Sequence, residues 1–511
     1  MGAIIENCRP YGGEPGSVYV EGGVIERISD DPTQSVPPGT VTIDGRGATL
    51  FPGFADTHCH PFEMGRLRGN IDLKGIVNVT GIRLRLLSAV QRAQPGEWVL
   101  GRGWDHEAFA DRRLPHRDDI DGVSKDNPVI LTRVCGHISL LNSAAIRELG
   151  LEGRSGPGYD RDPSGRLTGI VREGAQDRVF GRMPPRSPQA CLDDLLSVEL
   201  EALRGGLTTL HCIVSEDGYK EELEALAMLA SQEDHALRYR AYIPAKAVGY
   251  FAQSRYRERL AGDKIRVNGV KIYADGSLGA STAALREPYS DDPGNSGMLR
   301  YGDEELASLV EEAHEAGHQV AIHAIGDRAV EQAVGALSRV TGRGNPRRHR
   351  VEHASLLPKD LRAKMRKHGI RATVQPCFIT SDSWAGQRLG EERVDDLYPL
   401  KSMLDEGILT SGSSDAPVET ISPVKGMWSA MTRGAFAAHE RVDLRQAIEL
   451  YTANAASNGF DEKETGLAEG RRADLTLMDS DVHGMHPALF RKVGAAAVLV
   501  GGRVVYTFEG A

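Results

Sequence analysis

The sequence predicts an α/β protein: a (β/α)8, TIM-like barrel with a small β-sandwich domain built from both termini and an α/β subdomain inserted after the first barrel strand. Three observations predict it. Eight apolar, strand-like runs alternate with helix-like stretches through the middle of the chain, the pattern of βα units around a parallel sheet. Short, turn-bounded β patterns lie near both ends. One interval between consecutive strands is about 150 residues long, where a βα unit needs only about 30.

The eight runs are TLFPGFADTH (49–58), LTTLHCIV (207–214), LRYRAYI (237–243), RVNGVKIYAD (266–275), HQVAIHAI (318–325), HRVEHAS (349–355), RATVQP (371–376) and ILTSGSSD (408–415). Helical stretches between them include 303–316, with Leu306, Leu309, Val310 and Ala313 at helical spacing, and 327–340. Eight strands with crossovers fit a closed barrel better than an open doubly wound sheet. The terminal patterns are SVYVEGG, GVIERISD and TVTIDGRG between Ser17 and Ile43 and just beyond, then ADLTLMDSD and AAAVLVGGRVVYTF near the other end. Termini of a domain commonly lie close together. Residues 1–53 plus 456–511 are therefore expected as a composite β-sandwich and 54–455 as the barrel. The long interval, about 66–186, is expected as an inserted subdomain, and insertions on the catalytic face of a barrel usually shape the substrate pocket.

The 511 residues exceed what one hydrophobic core supports. A net charge of -10 without a Lys/Arg stripe argues against nucleic acid as a partner. The six cysteines, Cys8, Cys59, Cys135, Cys191, Cys212 and Cys377, are scattered and form no CxxC pair, so neither a disulfide framework nor a thiolate zinc site is expected. They read as reduced thiols of a cytoplasmic protein. The N-terminus lacks a basic region followed by an apolar one, and no run of about 18 apolar residues occurs, so no membrane association is expected. Met1-Gly2 begins like a myristoylation signal, but the residues that follow, AIIENC, hold none of the Ser or Thr such a signal wants. The expected partner is a small-molecule substrate, with a homodimer as the assembly considered.

The strongest local signal is His58-Cys59-His60, ending the apolar run FPGFADTH. In a strand, residues i and i+2 point to one side, so two imidazoles converge while Cys59 faces away. Two imidazoles at one point suit a divalent cation. His323, His353 and Asp415 each end another strand-like run, where a barrel delivers side chains to its C-terminal mouth. Lys271 lies inside the apolar run NGVKIYADGSLG. A buried ammonium is costly, so it should shift its pKa, pair with an acid such as Asp275, or be modified. Carbon dioxide added to the neutral amine would form a carbamate with two oxygens to bridge two metals. Trp104, Phe109, Tyr273 and Trp384 are candidates for an apolar pocket or for core. GGEPG and GRG lack the strand–loop–helix context of a phosphate cradle. SGSSD is not a G-x-S-x-G elbow, and a serine hydrolase would leave the histidines unexplained.

Taken in order, His58-x-His60, Lys271 followed by ADGSLG, His323 followed by AIGDRA, EHA with His353, and SSDAPV with Asp415 resemble the amidohydrolase superfamily. The resemblance is closest to its YtcJ-like branch, which includes N-substituted formamide deformylases. It covers nearly the whole chain, since GRGWD at Trp104, GHISLLNSAA from Gly136 and TGIVREGA through Ala175 also look like that branch. The resemblance implies one or two divalent ions, zinc foremost. His58 and His60 would hold the more buried ion, carboxylated Lys271 would bridge, and His323 and His353 would hold the second. Asp415 would touch the first ion and shuttle a proton. Trp104 and Asp105 would contact substrate. Glu173 would approach the site or simply start a helix; His137 would stabilise an oxyanion or serve structure. The implied reaction is hydrolysis of a C–N bond in an amide, formamide or cyclic amide by metal-activated water. Deamination of a heterocycle or ester hydrolysis would use the same fold, the pocket deciding between them. A catalytically silent binding protein would have lost ligands, whereas all six are present.

Overall fold

The computed structural model of the chain describes residues 2–31, 36–135, 137–172, 174–183, 186–232, 235–434 and 436–508. Eight parallel strands follow one another in chain order: β1 (Phe54–Cys59), β2 (Leu207–Ile213), β3 (Arg238–Pro244), β4 (Ile265–Tyr273), β5 (Gln319–Ala324), β6 (Arg350–His353), β7 (Arg371–Val374) and β8 (Thr410–Gly412). Each pairs with the next, and the starts of β2 to β7 fall within one residue of the expected runs. β8 returns to β1 through bonds made largely beyond its own ladder. Thr57 Oγ1 donates to the Gly412 carbonyl at 2.9 Å, Asp415 N to that of His58 at 2.8 Å, and His60 N to that of Ala416 at 2.8 Å. Closure is thus made at the end of β1 that carries the paired histidines.

Helices follow the strands with apolar faces turned inward. Asp327–Val340 buries Val330, Val334 and Leu337 at helical spacing, each worth about 1.5–3 kcal/mol relative to exposure. Among the described residues no helix is long and apolar enough to cross a membrane.

The first expected run is two strands, not one. Thr49–Pro52 pairs with Leu475–Met478, Leu50 standing opposite Leu477, before the barrel begins at Phe54. Gly53 is the joint, for a Cβ there would meet Thr208 Oγ1 at 2.3 Å. Only glycine lets β2 approach so closely. Both halves are apolar, so hydrophobic periodicity did not separate them.

Both ends of the chain build one eight-stranded sheet. Its strands are Ala3–Pro10, Gly16–Glu21, Val24–Ser29, Val41–Asp44, Thr49–Pro52, Leu475–Met478, Ala495–Val500 and Arg503–Thr507. Leu50, Leu475, Leu477 and Leu499 lie in its core. Residues 456–474 contribute no strand to it. They carry the end of the helix Ala453–Gly459 and then acids that bind the starts of the barrel strands. Arg240 donates to Asp461 through Nε and Nη2, both at 2.8 Å, and Arg238 Nε donates to Asp474 at 2.6 Å.

A second compact unit spans Gly65–Arg186. Its sheet of six strands runs Tyr159–Arg161, Leu167–Arg172, Ile138–Leu141, Val129–Arg133, Val99–Trp104 and Ile71–Asp72.

The helix Tyr219–Ala230 holds a buried acid, Glu222, which accepts from Ser215 N at 2.8 Å and Ser215 Oγ at 2.7 Å. Burial raises its carboxyl from 4.5 to about 7. A folded-state pKa above the unfolded one contributes stability that is complete below the unfolded value and is lost as pH rises through the folded value. Glu222→Gln is therefore expected to gain up to about 3 kcal/mol on the parent protein between pH 5 and pH 8. Urea unfolding at both pH values checks it, and an identical difference at the two would remove this role for Glu222.

Candidate active site

The site is built around an irregularity in β1. Asp56 stands opposite Leu210 and Cys59 opposite Cys212, so Thr57 and His58 together face the single residue His211. Such a bulge re-aims the side chains beside it. Beyond it, alternation brings His58 and His60 together, ring centroids 5.4 Å apart. Cys59 turns into the core between strands and helices.

Asp415 follows β8 with a φ of +54°, a left-handed conformation that non-glycine residues seldom adopt and that clusters at functional sites. Its Oδ1 lies 3.2 Å from Nε2 of His58 and 3.2 Å from Nε2 of His60. Among the described residues, these three form the one group of His, Cys and acidic side chains whose ligand atoms all lie within 4.8 Å of one another. Asp56 ties the two segments together, its Oδ1 accepting from His58 N and Ser414 N at 3.1 Å each. Burial works against the Asp415 charge, but the His58 and His60 imidazoles beside it hold its carboxyl well below the ordinary range.

Lys271 projects from β4 and is buried, with Nζ 3.5 Å from His58 Nε2 and 4.8 Å from the centroid of the Tyr273 ring. Burial lowers its pKa to about 8, with Glu352 and Asp415 opposing the shift. Asp275, the alternative acid, is engaged elsewhere: it accepts from Ile325 N at 3.1 Å, Gly326 N at 2.9 Å and Ala284 N at 3.0 Å.

His353 ends β6 with a φ of +69°. Adjacent residues of a regular strand point to opposite faces; the left-handed turn lets Glu352 and His353 serve the same site. The His353 ring lies 5.0 Å from that of His58 and 4.4 Å from that of His323. His353 Nδ1 donates to Gln375 Oε1 at 2.7 Å, and Gln375 Nε2 donates to Ser413 Oγ at 2.9 Å. Nε2 of His353 is therefore the lone-pair nitrogen. Burial, reinforced by His323, keeps the ring neutral, its pKa pushed well down. His323 Nε2 donates to the Gly276 carbonyl at 2.9 Å, which leaves Nδ1 as its acceptor.

All six expected ligands thus gather at one end of the barrel. His58, His60, Asp415 and Lys271 stand in direct contact; His353 joins them through the His58 ring and His323 through His353. Sequence reasoning missed Glu352 and Arg350. Glu352 Oε2 accepts from His58 Nδ1, and Arg350 Nε donates to Glu352 Oε1. Their signal was visible in RVEHAS, where a base and an acid two residues apart share one face of an otherwise apolar strand.

The candidates from the inserted unit fare differently. Trp104, expected against substrate, is fully buried in that unit's own core, and its Nε1 donates to the Leu131 carbonyl at 2.7 Å. With the ring wholly covered, it is a core residue, as is Phe109. Asp105 caps the short helix His106–Ala108 and accepts from Arg133 Nη2 at 2.6 Å. His137 is exposed. Glu173 lies outside the described residues.

The donor set fits a divalent cation. Glu352 is an acceptor, so the proton it receives sits on His58 Nδ1 and Nε2 presents its lone pair. That nitrogen, the His60 imidazole and the Asp415 carboxylate are common zinc ligands.

A family model described as "Amidohydrolase family" matches residues 41–506. The chain is 32% identical to YtcJ of Bacillus subtilis (strain 168), which is named as an amidohydrolase, over 99% of this chain and 98% of that protein. It is 25% identical to N-substituted formamide deformylase of Arthrobacter pascens over 91% of this chain and 90% of the relative. Among solved structures, an uncharacterized metal-dependent hydrolase of Pyrococcus furiosus superposes with a TM-score of 0.80 at 29% identity, covering 93% of this chain and 98% of that one.

Proposed function

The chain belongs to the amidohydrolase family, and from that premise we propose that it hydrolyses a carbon–nitrogen bond, in an amide, formamide or cyclic amide of a small molecule, with metal-activated water. One observation carries the reading: Asp415 Oδ1 lies 3.2 Å from Nε2 of both His58 and His60 at the barrel mouth. These residues would hold the more buried cation, zinc by the chemistry of the donors. His323 and His353 would hold a second. A cation bound there supplies Lewis acidity, drawing the pKa of water from about 15.7 towards about 7.

The protein's own groups divide the remaining work. Asp415 is held ionised, so its carboxylate can take a proton from the attacking water and return it to the departing nitrogen, base first and acid second. Lys271 would serve as a carbamate. Its neutral amine adds carbon dioxide, one N–C bond forming as one C–O π bond of the carbon dioxide opens and one N–H proton leaves to solvent, and an anion then faces His58 Nε2 in place of the amine. Burial, which brings the lysine to about 8, favours the neutral amine this step needs. The resemblance to an N-substituted formamide deformylase supports amides and formamides as the first substrates to try.

The test is a panel of N-substituted formamides, acyl amides, cyclic amides, esters and amino-heterocycles, offered to zinc-loaded and chelator-stripped protein. Release of amine from the first two groups and ring opening in the third, by loaded protein only, is the expected result. Turnover confined to esters or amino-heterocycles would overturn the bond assignment, and undiminished turnover by stripped protein would overturn the role of metal.

A further inference from the structure

Below the cation site the barrel axis carries charge in place of the branched apolar layers usual in such barrels. Arg350 and Glu352 project from β6 on one face and are both fully buried. Arg350 is held from four strands. Its Nε donates to Glu352 Oε1 on β6, Nη2 to the Thr57 carbonyl on β1 at 2.9 Å, and Nη1 to Nδ1 of His211 on β2 at 3.2 Å. The guanidinium also lies 4.3 Å from the centroid of the Tyr242 ring on β3. His211 accepts because burial and Arg350 keep it neutral. The other carboxylate oxygen of Glu352 accepts from His58 Nδ1.

A buried ion pair is a weak source of stability, and well-packed apolar residues of similar volume often do as well or better. This pair lies directly under a candidate ligand, which gives it a different use. Without an acceptor at Nδ1 the His58 imidazole is free to carry its proton on either nitrogen, and a proton on Nε2 blocks coordination. An acceptor that was itself loosely held would fix the tautomer but not the ring.

We propose that Arg350 and Glu352 are positioning residues of the cation site: Arg350 immobilises Glu352, and Glu352 fixes both the ring of His58 and its proton, so that Nε2 faces the cation. The proposal rests on the hydrolase reading above, and neither residue need touch substrate.

The test uses the full chain and three readouts: the zinc dissociation constant by competition with a chromophoric chelator, the visible spectrum of the cobalt-loaded protein, and the melting temperature of the metal-free protein. Glu352→Gln keeps the size but sets an amide N–H against either Arg350 or His58; Arg350→Lys keeps the charge but loses the fork. Arg240→Lys, at the buried Arg240–Asp461 pair on β3, is the control. Glu352→Gln is expected to bind zinc roughly 10–100-fold more weakly, with displaced cobalt bands. Arg350→Lys should move both in the same direction by less. The control should melt lower with zinc affinity and cobalt bands unchanged. Glu352→Gln binding zinc as tightly as the parent, with the parent's cobalt spectrum, overturns the proposal however low it melts. If that variant does not fold, unchanged affinity and bands in Arg350→Lys overturn it instead. A parent protein that binds neither metal overturns this proposal and the hydrolase reading together, whereas a parent that binds with an unaffected Glu352→Gln overturns the proposal alone.

Discussion

Asp415→Asn is expected to retain its zinc and to turn over roughly 10²–10⁴-fold more slowly, the range associated with loss of a positioned acid–base group. The substituted amide keeps an oxygen near Nε2 of His58 and His60, where Asp415 Oδ1 now stands at 3.2 Å. What it loses is basicity, because an amide oxygen cannot accept the proton of attacking water and later return it. The carboxylate it replaces is kept ionised despite burial by the two imidazoles beside it. Turnover at saturating substrate, measured beside metal content by elemental analysis, separates the two roles. Parental turnover with full metal would remove the proton role; loss of metal would show that Asp415 acts chiefly as a ligand.

His58→Ala is expected to empty the site. Nε2 of His58 meets Asp415 at 3.2 Å and Lys271 at 3.5 Å, and Nδ1 meets Glu352, so one ring joins three parts of the site. Loss of an outer hydrogen-bond partner of a ligand typically costs roughly 10–100-fold in metal affinity, and loss of the ligand itself should cost more. Elemental analysis after gel filtration should find little zinc, with activity lost in proportion. A fully loaded His58→Ala protein would mean that the ligands lie elsewhere.

Apolar runs marked the barrel strands well, because βα units repeat a local pattern and buried parallel strands are apolar on both faces. The starts of β2 to β7 came within one residue. The pattern failed at Gly53, where an apolar strand of the terminal sheet runs directly into an apolar strand of the barrel. Only the approach of Thr208 to the glycine marks the break. Trp104 misled for a related reason: a tryptophan in a motif looks the same whether its ring lines a pocket or fills a core, and burial decides.

The order of strands and the placing of His58, His60, Lys271, His323, His353 and Asp415 at or near their ends follow from the sequence alone, since backbone periodicity is a local property. Tertiary structure decided which nitrogen is free in His58, His323 and His353, that Lys271 faces His58 while Asp275 binds backbone amides, and that Glu352 and Arg350 stand beneath the site. Those choices are made by hydrogen bonds between groups far apart in the chain, 294 residues in the case of His58 and Glu352. They also depend on left-handed turns at His353 and Asp415 that a regular strand would not make. A closed barrel brings distant strand ends to one rim, and there the geometry of donors and acceptors, unreadable from spacing, sets the chemistry.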